Sequence, residues 1–171
     1  MILRTRQANL RPWEAEDAAT LAHYANNIKI ARNLRDGFPH PYSIENAQFY
    51  IKSVTDAHQN LIFAIEVDKK PVGSIGIFPK TDIYRRNAEI GYWLAEDYWG
   101  RGIATEVLEK MATYCFAHTE VHRLYANVFE PNMASKRVLE KCGFTLEAVL
   151  QNSIIKNNQV MDEHVYVRFR E

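Results

Sequence analysis

Cysteine is nearly absent from this sequence: Cys115 and Cys142 are its two thiols. Without ligand-like spacing, two cysteines exclude a disulfide scaffold and a cysteine zinc site, and they fit a reducing cytoplasm. Net charge is absent as well, since Lys plus Arg equals Asp plus Glu at 21 each. Such a chain has no global field drawing it to nucleic acid or to an anionic membrane; only local basic patches remain. No apolar run is long enough to span a bilayer, and Met1–Arg6 has no apolar signal core. The expectation is a cytoplasmic protein. His118 and His122 sit four apart, but a chain turn is expected between them, so no metal site is read there. No repeat or low-complexity linker interrupts the chain, so residues 1–171 are expected to form a single domain.

What is present is ordinary globular composition, 47% hydrophobic and 25% charged. Met1 to Arg11 alternates enough to read as a first strand that ends at Pro12. Glu14–Ala25 and Ile28–Leu34 read as short helices, and Arg35–Tyr42, with Gly37, Pro39 and Pro41, as a loop. Ser43 caps a helix expected to reach about His58. Leu61–Val67, Val72–Phe78 and Asn87–Leu94 read as an antiparallel meander. Ile103, Val107, Leu108, Met111, Ala112, Cys115 and Phe116 form one face of a strong helix, with Glu106 and Lys110 spaced to pair on another. A strand at His122–Phe129 and a helix from Pro131 to Lys141, stopped by Gly143, follow. Phe144–Leu150 and Val160–Phe169 close the chain as a hairpin. The order implies a mixed α/β (α+β) domain rather than a regular βαβ repeat.

The segment Trp99-Gly100-Arg101-Gly102-Ile103-Ala104-Thr105 joins a strand to that strong helix. A helix N-terminus carries unpaired N–H groups and partial positive charge. Gly100 and Gly102 let backbone approach an anion closely, Arg101 adds a cation and the Thr105 hydroxyl a donor, so the segment suits a pyrophosphate. It lacks the Gly-Lys-Ser/Thr of a Walker loop and the three glycines of a dinucleotide fingerprint. On these residues alone, a tight strand-to-helix turn is the competing reading.

The loop has neighbours that carry a resemblance. Ala88-Glu89-Ile90-Gly91-Tyr92-Trp93-Leu94 and Tyr98-Trp99-Gly100-Arg101-Gly102-Ile103-Ala104 resemble the signature of the GNAT acetyltransferases. Asn127–Ser135 and Lys141-Cys142-Gly143-Phe144 resemble the family's second block, and the wording is most similar to ribosomal-protein N-terminal acetyltransferases of RimJ/RimL type. The resemblance implies a mostly antiparallel central sheet of about seven strands flanked by helices. It implies acetyl-CoA as cosubstrate and a primary amine as acceptor (a protein N-terminus or a small amine); charge, hydropathy and spacing point to no nucleic acid, membrane or metal, and a homodimer is left open. Gly100, Arg101, Gly102, Ile103, Ala104 and Thr105 would cradle the pyrophosphate, with Lys136 and Arg137 as further cations. The strand end Tyr92, Trp93 and Leu94 would splay from the neighbouring strand and pair with the pantetheine arm, an amide there would polarise the thioester carbonyl, and Asn132 would bond the same arm. Gly91 would mark a bulge or a close approach.

The chemistry requires a proton to leave the acceptor ammonium. Glu89 is the first candidate base; pairing with Arg85 or Arg86 is its structural alternative. Ser135 matches a serine placed near the sulfur in RimL-like enzymes, with helix hydrogen bonding as the alternative. Leu139 stands where many members carry an acid tyrosine, and Asn127 where some carry a catalytic glutamate. Phe38 and Tyr42 are candidates for the acceptor wall, and Glu163 and His164 for facing it. Cys115 and Cys142 read as core. A non-catalytic acyl-CoA-binding or sensing domain is the alternative function.

Overall fold

The computed structural model describes residues 2–56 and 61–171. In chain order the elements are β1 (Leu3–Arg4), β2 (Asn9–Arg11), α1 (Ala18–Ala25), α2 (Ile28–Ala31), α3 (Ile44–Asp56), β3 (Leu61–Val67), β4 (Lys70–Pro79), β5 (Asn87–Leu94), α4 (Ile103–His118), β6 (Arg123–Phe129), α5 (Met133–Lys141), β7 (Thr145–Lys156) and β8 (Gln159–Phe169). One eight-stranded sheet runs in the order β1-β2-β3-β4-β5-β6-β8-β7. Every pairing is antiparallel except β5 with β6.

Eight strands replace the seven expected because the N-terminal alternation divides. The Thr5 amide donates to the Ala8 carbonyl at 2.8 Å, and this turn folds Leu3 back opposite Leu10. The closing hairpin is longer than the sequence suggested. Polar Gln151-Asn152-Ser153 reads as a strand end, yet β7 passes through it with an irregular register and resumes at Ile154. α2 is shorter than the expected Ile28–Leu34. The expected end of α3 near His58 lies outside the described residues.

Local chemistry explains the other boundaries. Ser43 and Asn46 cap α3 reciprocally, the Ser43 amide donating to Asn46 Oδ1 at 2.9 Å and the Asn46 amide to Ser43 Oγ at 3.2 Å. At the end of α5 the Phe144 amide donates to Leu139 O and the Gly143 amide to Glu140 O, both at 3.1 Å, closing a Schellman stop.

Two apolar layers flank the sheet. α4 and α5 bury Ile103, Val107, Leu108, Met111, Cys115 and Leu139 against Ile65, Ile75, Ile77, Ile90 and Leu124. Each such side chain contributes about 2 kcal/mol of transfer free energy. On the other face α1 and α3 bury Leu21, Ala47 and Ile51 with Trp13, Tyr42 and Ala64. That second layer covers the β3–β5 half. The loop at 32–42 reaches β7, where Asp36 meets Lys156 Nζ at 2.8 Å. Arg11 joins β2 to its surroundings through Asp17 at 2.7 Å and Glu66 at 2.5 Å. Among the described residues no helix is long and apolar enough to cross a membrane.

Candidate functional site

The site begins where two strands part. β5 and β6 pair in parallel only at Asn87–Arg123, Ala88–Leu124 and Glu89–Tyr125. Beyond that point β5 stays with β4 and β6 stays with β8, so the strands open a fork. Inside it, the β6-facing backbone groups of Ile90–Leu94 have no strand to bond. An open strand edge of this kind accepts an extended amide-bearing ligand.

The helix α4 starts at the mouth of the fork. Gly100 (φ 73°) and Gly102 (φ 79°) are both left-handed, and Gly102 is the residue that enters the helix. A side chain there would strain the turn. A Cβ on Gly100 would meet nothing within 4 Å, so the loop presents bare backbone to its surroundings. The amides of Ile103, Ala104 and Thr105 lie in the first helical turn, where no intrahelical acceptor exists. The loop is fastened at both ends. Trp99 Nε1 donates to Leu94 O at 2.7 Å, and Gln7 Nε2 donates to Arg101 O at 3.0 Å. Gln7 is held in turn by Glu106 at 2.8 Å. Glu106, expected to pair with Lys110, pairs instead with Arg6 at 3.0 Å. The Arg101 guanidinium donates to Asp97 O at 2.6 Å and lies 5.2 Å from the centre of the Tyr98 ring.

One face of the fork is closed by side chains. Tyr92 points towards α5, its hydroxyl 3.0 Å from Ser135 Oγ. Burial raises the Tyr92 phenol above its usual value, which keeps it protonated at neutral pH. Asn132 caps α5, Oδ1 accepting from the Ser135 amide at 3.2 Å, while its Nδ2 donors make no bond among the described residues. Lys136, expected to serve phosphates, is buried and donates to Glu130 O at 2.8 Å. No bulge occurs at Gly91, which pairs regularly with Gly76; a Cβ there would come 3.7 Å from Phe78.

The other face carries the charges. Side chains alternate along a strand, so Glu89, Gly91 and Trp93 point away from α4 and α5. Phe38 packs on Trp93 at 5.5 Å and on Tyr42 at 4.9 Å between ring centres. Glu89 pairs with Arg35 at 2.5 Å and Lys80 at 3.6 Å, in place of Arg85 or Arg86. Glu163 lies opposite Phe129 on β8, on the same face, and is half-buried. Burial raises its carboxyl, Arg35 draws it back, and Glu89 raises it again. His164 points to the opposite face, its register partner being buried Val128. Asn127 Oδ1 is buried without a partner among the described residues.

Cys115 and Cys142 are fully buried, and burial pushes both thiols up, Cys142 to about 11. Neither has the character of a nucleophile. Among the described residues no His/Cys/Asp/Glu group could hold a metal ion.

The structure brings the glycine loop, Tyr92–Leu94, Ser135 and Asn132, all named from the sequence, around one fork. Sequence reasoning missed Gln7, which reaches the loop from 94 positions away, and Arg35, which reaches Glu89 from 54 positions away. No local pattern could signal either.

Residues 7–145 match the family model described as the acetyltransferase (GNAT) domain. The uncharacterized N-acetyltransferase YoaA of Bacillus subtilis (strain 168) is 33% identical over 170 residues, covering 96% of this chain and 94% of its own length. The spermidine N(1)-acetyltransferase of Escherichia coli (strain K12) is 28% identical over 152 residues, covering 88% of this chain and 79% of its own. Among solved structures, RimL, the ribosomal L7/L12 alpha-N-protein acetyltransferase in complex with coenzyme A, superposes with a TM-score of 0.88 at 22% identity, covering 99% of this chain and 98% of that one.

Proposed function

This chain belongs to the GNAT acetyltransferase family, and from that premise we propose how its fork divides the reaction. The protein is an N-acetyltransferase that uses acetyl-CoA and an amine. The observation carrying this division is the parting of β5 from β6 after Glu89–Tyr125, directly below the N-terminus of α4.

The donor side fits coenzyme A in its chemistry. The first-turn amides of Ile103, Ala104 and Thr105, with Gly100, Gly102 and Arg101, would hold the pyrophosphate. The open edge at Tyr92, Trp93 and Leu94 would hold the pantetheine arm, with the free Nδ2 of Asn132 facing the same ligand. Bound acetyl-CoA supplies the activated acetyl thioester. Ser135, hydrogen-bonded to the protonated Tyr92, would deliver a proton to the departing sulfur. Glu89, Phe38 and Trp93 shape the opposite, acceptor side. With both thiols buried and their ionisation suppressed, transfer is direct, within a ternary complex.

The acceptor is a primary amine on a slender arm, either a protein N-terminus or a small polyamine. Two relatives support this choice, one named for spermidine and one for a ribosomal protein N-terminus. A cytoplasmic setting suits the free thiols. A homodimer would form on edge strand β7, where Leu146, Leu150 and Ile155 are exposed.

Two measurements test the reading. Acetyl-CoA should raise Tm by mass action, about 2.7 kcal/mol at a hundred times Kd. Thiol release should become amine-dependent over a panel of spermidine and peptides with free N-termini. No shift at saturating acetyl-CoA overturns the donor site. Tight binding with no turnover on any amine favours an acyl-CoA sensor instead.

A further inference from the structure

Two carboxylates occupy the acceptor face of the fork, and they are not equivalent. Glu89 is engaged at both oxygens: Oε1 receives Arg35 at 2.5 Å and Oε2 lies 3.6 Å from Lys80 Nζ. A third cation would have to displace one of these. The Glu163 carboxylate makes neither a hydrogen bond nor an ion pair among the described residues. It is half-buried, and an unpartnered carboxylate is costly to hold in such a place. Its position follows from register. On β8 it sits beside Phe129 of β6 and Leu150 of β7, with Met161 and Val165 following on its own side of the strand.

The charged groups facing it are few. Arg35 comes from the loop at 32–42 and Glu89 from β5; both act on the Glu163 charge. Lys80 is spent on Glu89, and Lys156 on Asp36. Asp162 points the other way and accepts from the Asn152 amide at 2.8 Å. Glu163 is thus an unsatisfied anion at the open side of the fork, with apolar strand neighbours and Arg35 held off by Glu89.

We infer that Glu163 is the carboxylate that receives the acceptor ammonium and takes its proton, while Glu89 is a positioning residue that holds Arg35 in place. The inference rests on the acceptor reading above and deepens it. One N–H proton of R–NH3+ passes to a Glu163 oxygen and leaves the nitrogen lone pair free. The lone pair forms the C–N bond as the C–S bond breaks. The second N–H proton passes to Ser135 as the Ser135 hydroxyl gives its own to the sulfur, so R–NH3+ and acetyl-CoA give R–NH–COCH3, CoA–SH and one proton released from Glu163 to solvent. Burial favours this role, because a carboxyl raised towards neutrality is a better base than an ordinary one.

The test follows kcat and KM against pH for the wild type, Glu163→Gln, Glu163→Asp and Glu89→Gln. The probes are spermidine and a short peptide with a free N-terminal serine. Calorimetry with acetyl-CoA and a Tm measurement check the fold of each variant. Wild-type kcat should fall on the acid side as Glu163 becomes protonated. Glu163→Gln should lower kcat about 100-fold at neutral pH, lose that acid limb, and recover as the amine itself deprotonates at high pH. Glu163→Asp should restore part of the rate with the limb. Glu89→Gln should raise acceptor KM and keep the limb. A Glu163→Gln enzyme with wild-type kcat and limb, or a Glu89→Gln enzyme that loses the limb, overturns the inference alone. A wild type that binds acetyl-CoA and turns over neither probe overturns the acceptor reading and this inference with it.

Discussion

The donor and acceptor sides proposed for the fork are built in opposite ways. The donor side is backbone: seven consecutive residues, Trp99–Thr105, turned by two left-handed glycines into a helix start. The acceptor side is side chains: Arg35, Phe38, Glu89, Trp93 and Glu163, drawn from a loop and two strands. Anions are served by amide dipoles that every residue carries, so an anion site can be local. A protonated amine needs ionisable side chains in a set geometry, and only tertiary folding assembles those.

Damage to one side should leave the other intact. The largest effect is expected from Gly102→Val, which puts a β-branched residue at φ 79°. Losing two or three charge-assisted amide contacts should weaken acetyl-CoA binding roughly 100-fold or more by calorimetry. A variant that still binds as the wild type would break the backbone account. Phe38→Ala should act on the opposite side, raising acceptor KM about tenfold, as lost apolar contact does, with acetyl-CoA affinity unchanged. A change in acetyl-CoA affinity instead would merge the two sides.

The smallest effect concerns stability, and it sharpens the comparison by sign. The hydrogen bond from Arg11 holds the Glu66 carboxyl below its ordinary 4.5. A depressed folded-state value adds stability above the unfolded value, lost as pH falls through the folded one. Glu163 is raised, so its favourable contribution exists only in acid and is lost as pH rises through its folded value. Glu66→Gln should therefore lower Tm at neutral pH and Glu163→Gln should raise it, each by no more than about 3 °C. The Glu66 difference should shrink as pH falls below 4.5, and the Glu163 difference sooner, as pH falls through its raised folded-state value. A fall in Tm for Glu163→Gln at neutral pH would show that the carboxylate has a structural partner.

Much of the central fold was legible because its signals are periodic and local. The apolar face of α4, the capped start of α3 and the glycine stop after α5 each lie within one or two helical turns. The errors came where local and long-range signals compete. Met1–Arg11 alternates like one strand, but the Thr5–Ala8 turn lets Leu3 pair with Leu10. β7 runs through Gln151-Asn152-Ser153 because β8 lies alongside and pairs again from Ile154. At the site, Glu89 was visible as a carboxylate beside the loop, but its cations were not. Arg85 and Arg86 are nearer in sequence, yet Arg35 and Lys80 are nearer in space. Ser135 was visible; the Tyr92 hydroxyl beside it was not, since helix and strand approach only after the fork closes on that side.

By itself, then, the sequence pointed to the donor through neighbouring segments that resemble the GNAT signature, since two glycines before an amphipathic helix equally suit a plain strand-to-helix turn. The point at which β5 and β6 part, the fastening of the loop by Gln7, and the unequal lots of Glu89 and Glu163 were decided by tertiary structure. Pairing across the sheet determines which charges meet and which are left without a partner, and Coulombic neighbours act through space, not along the chain.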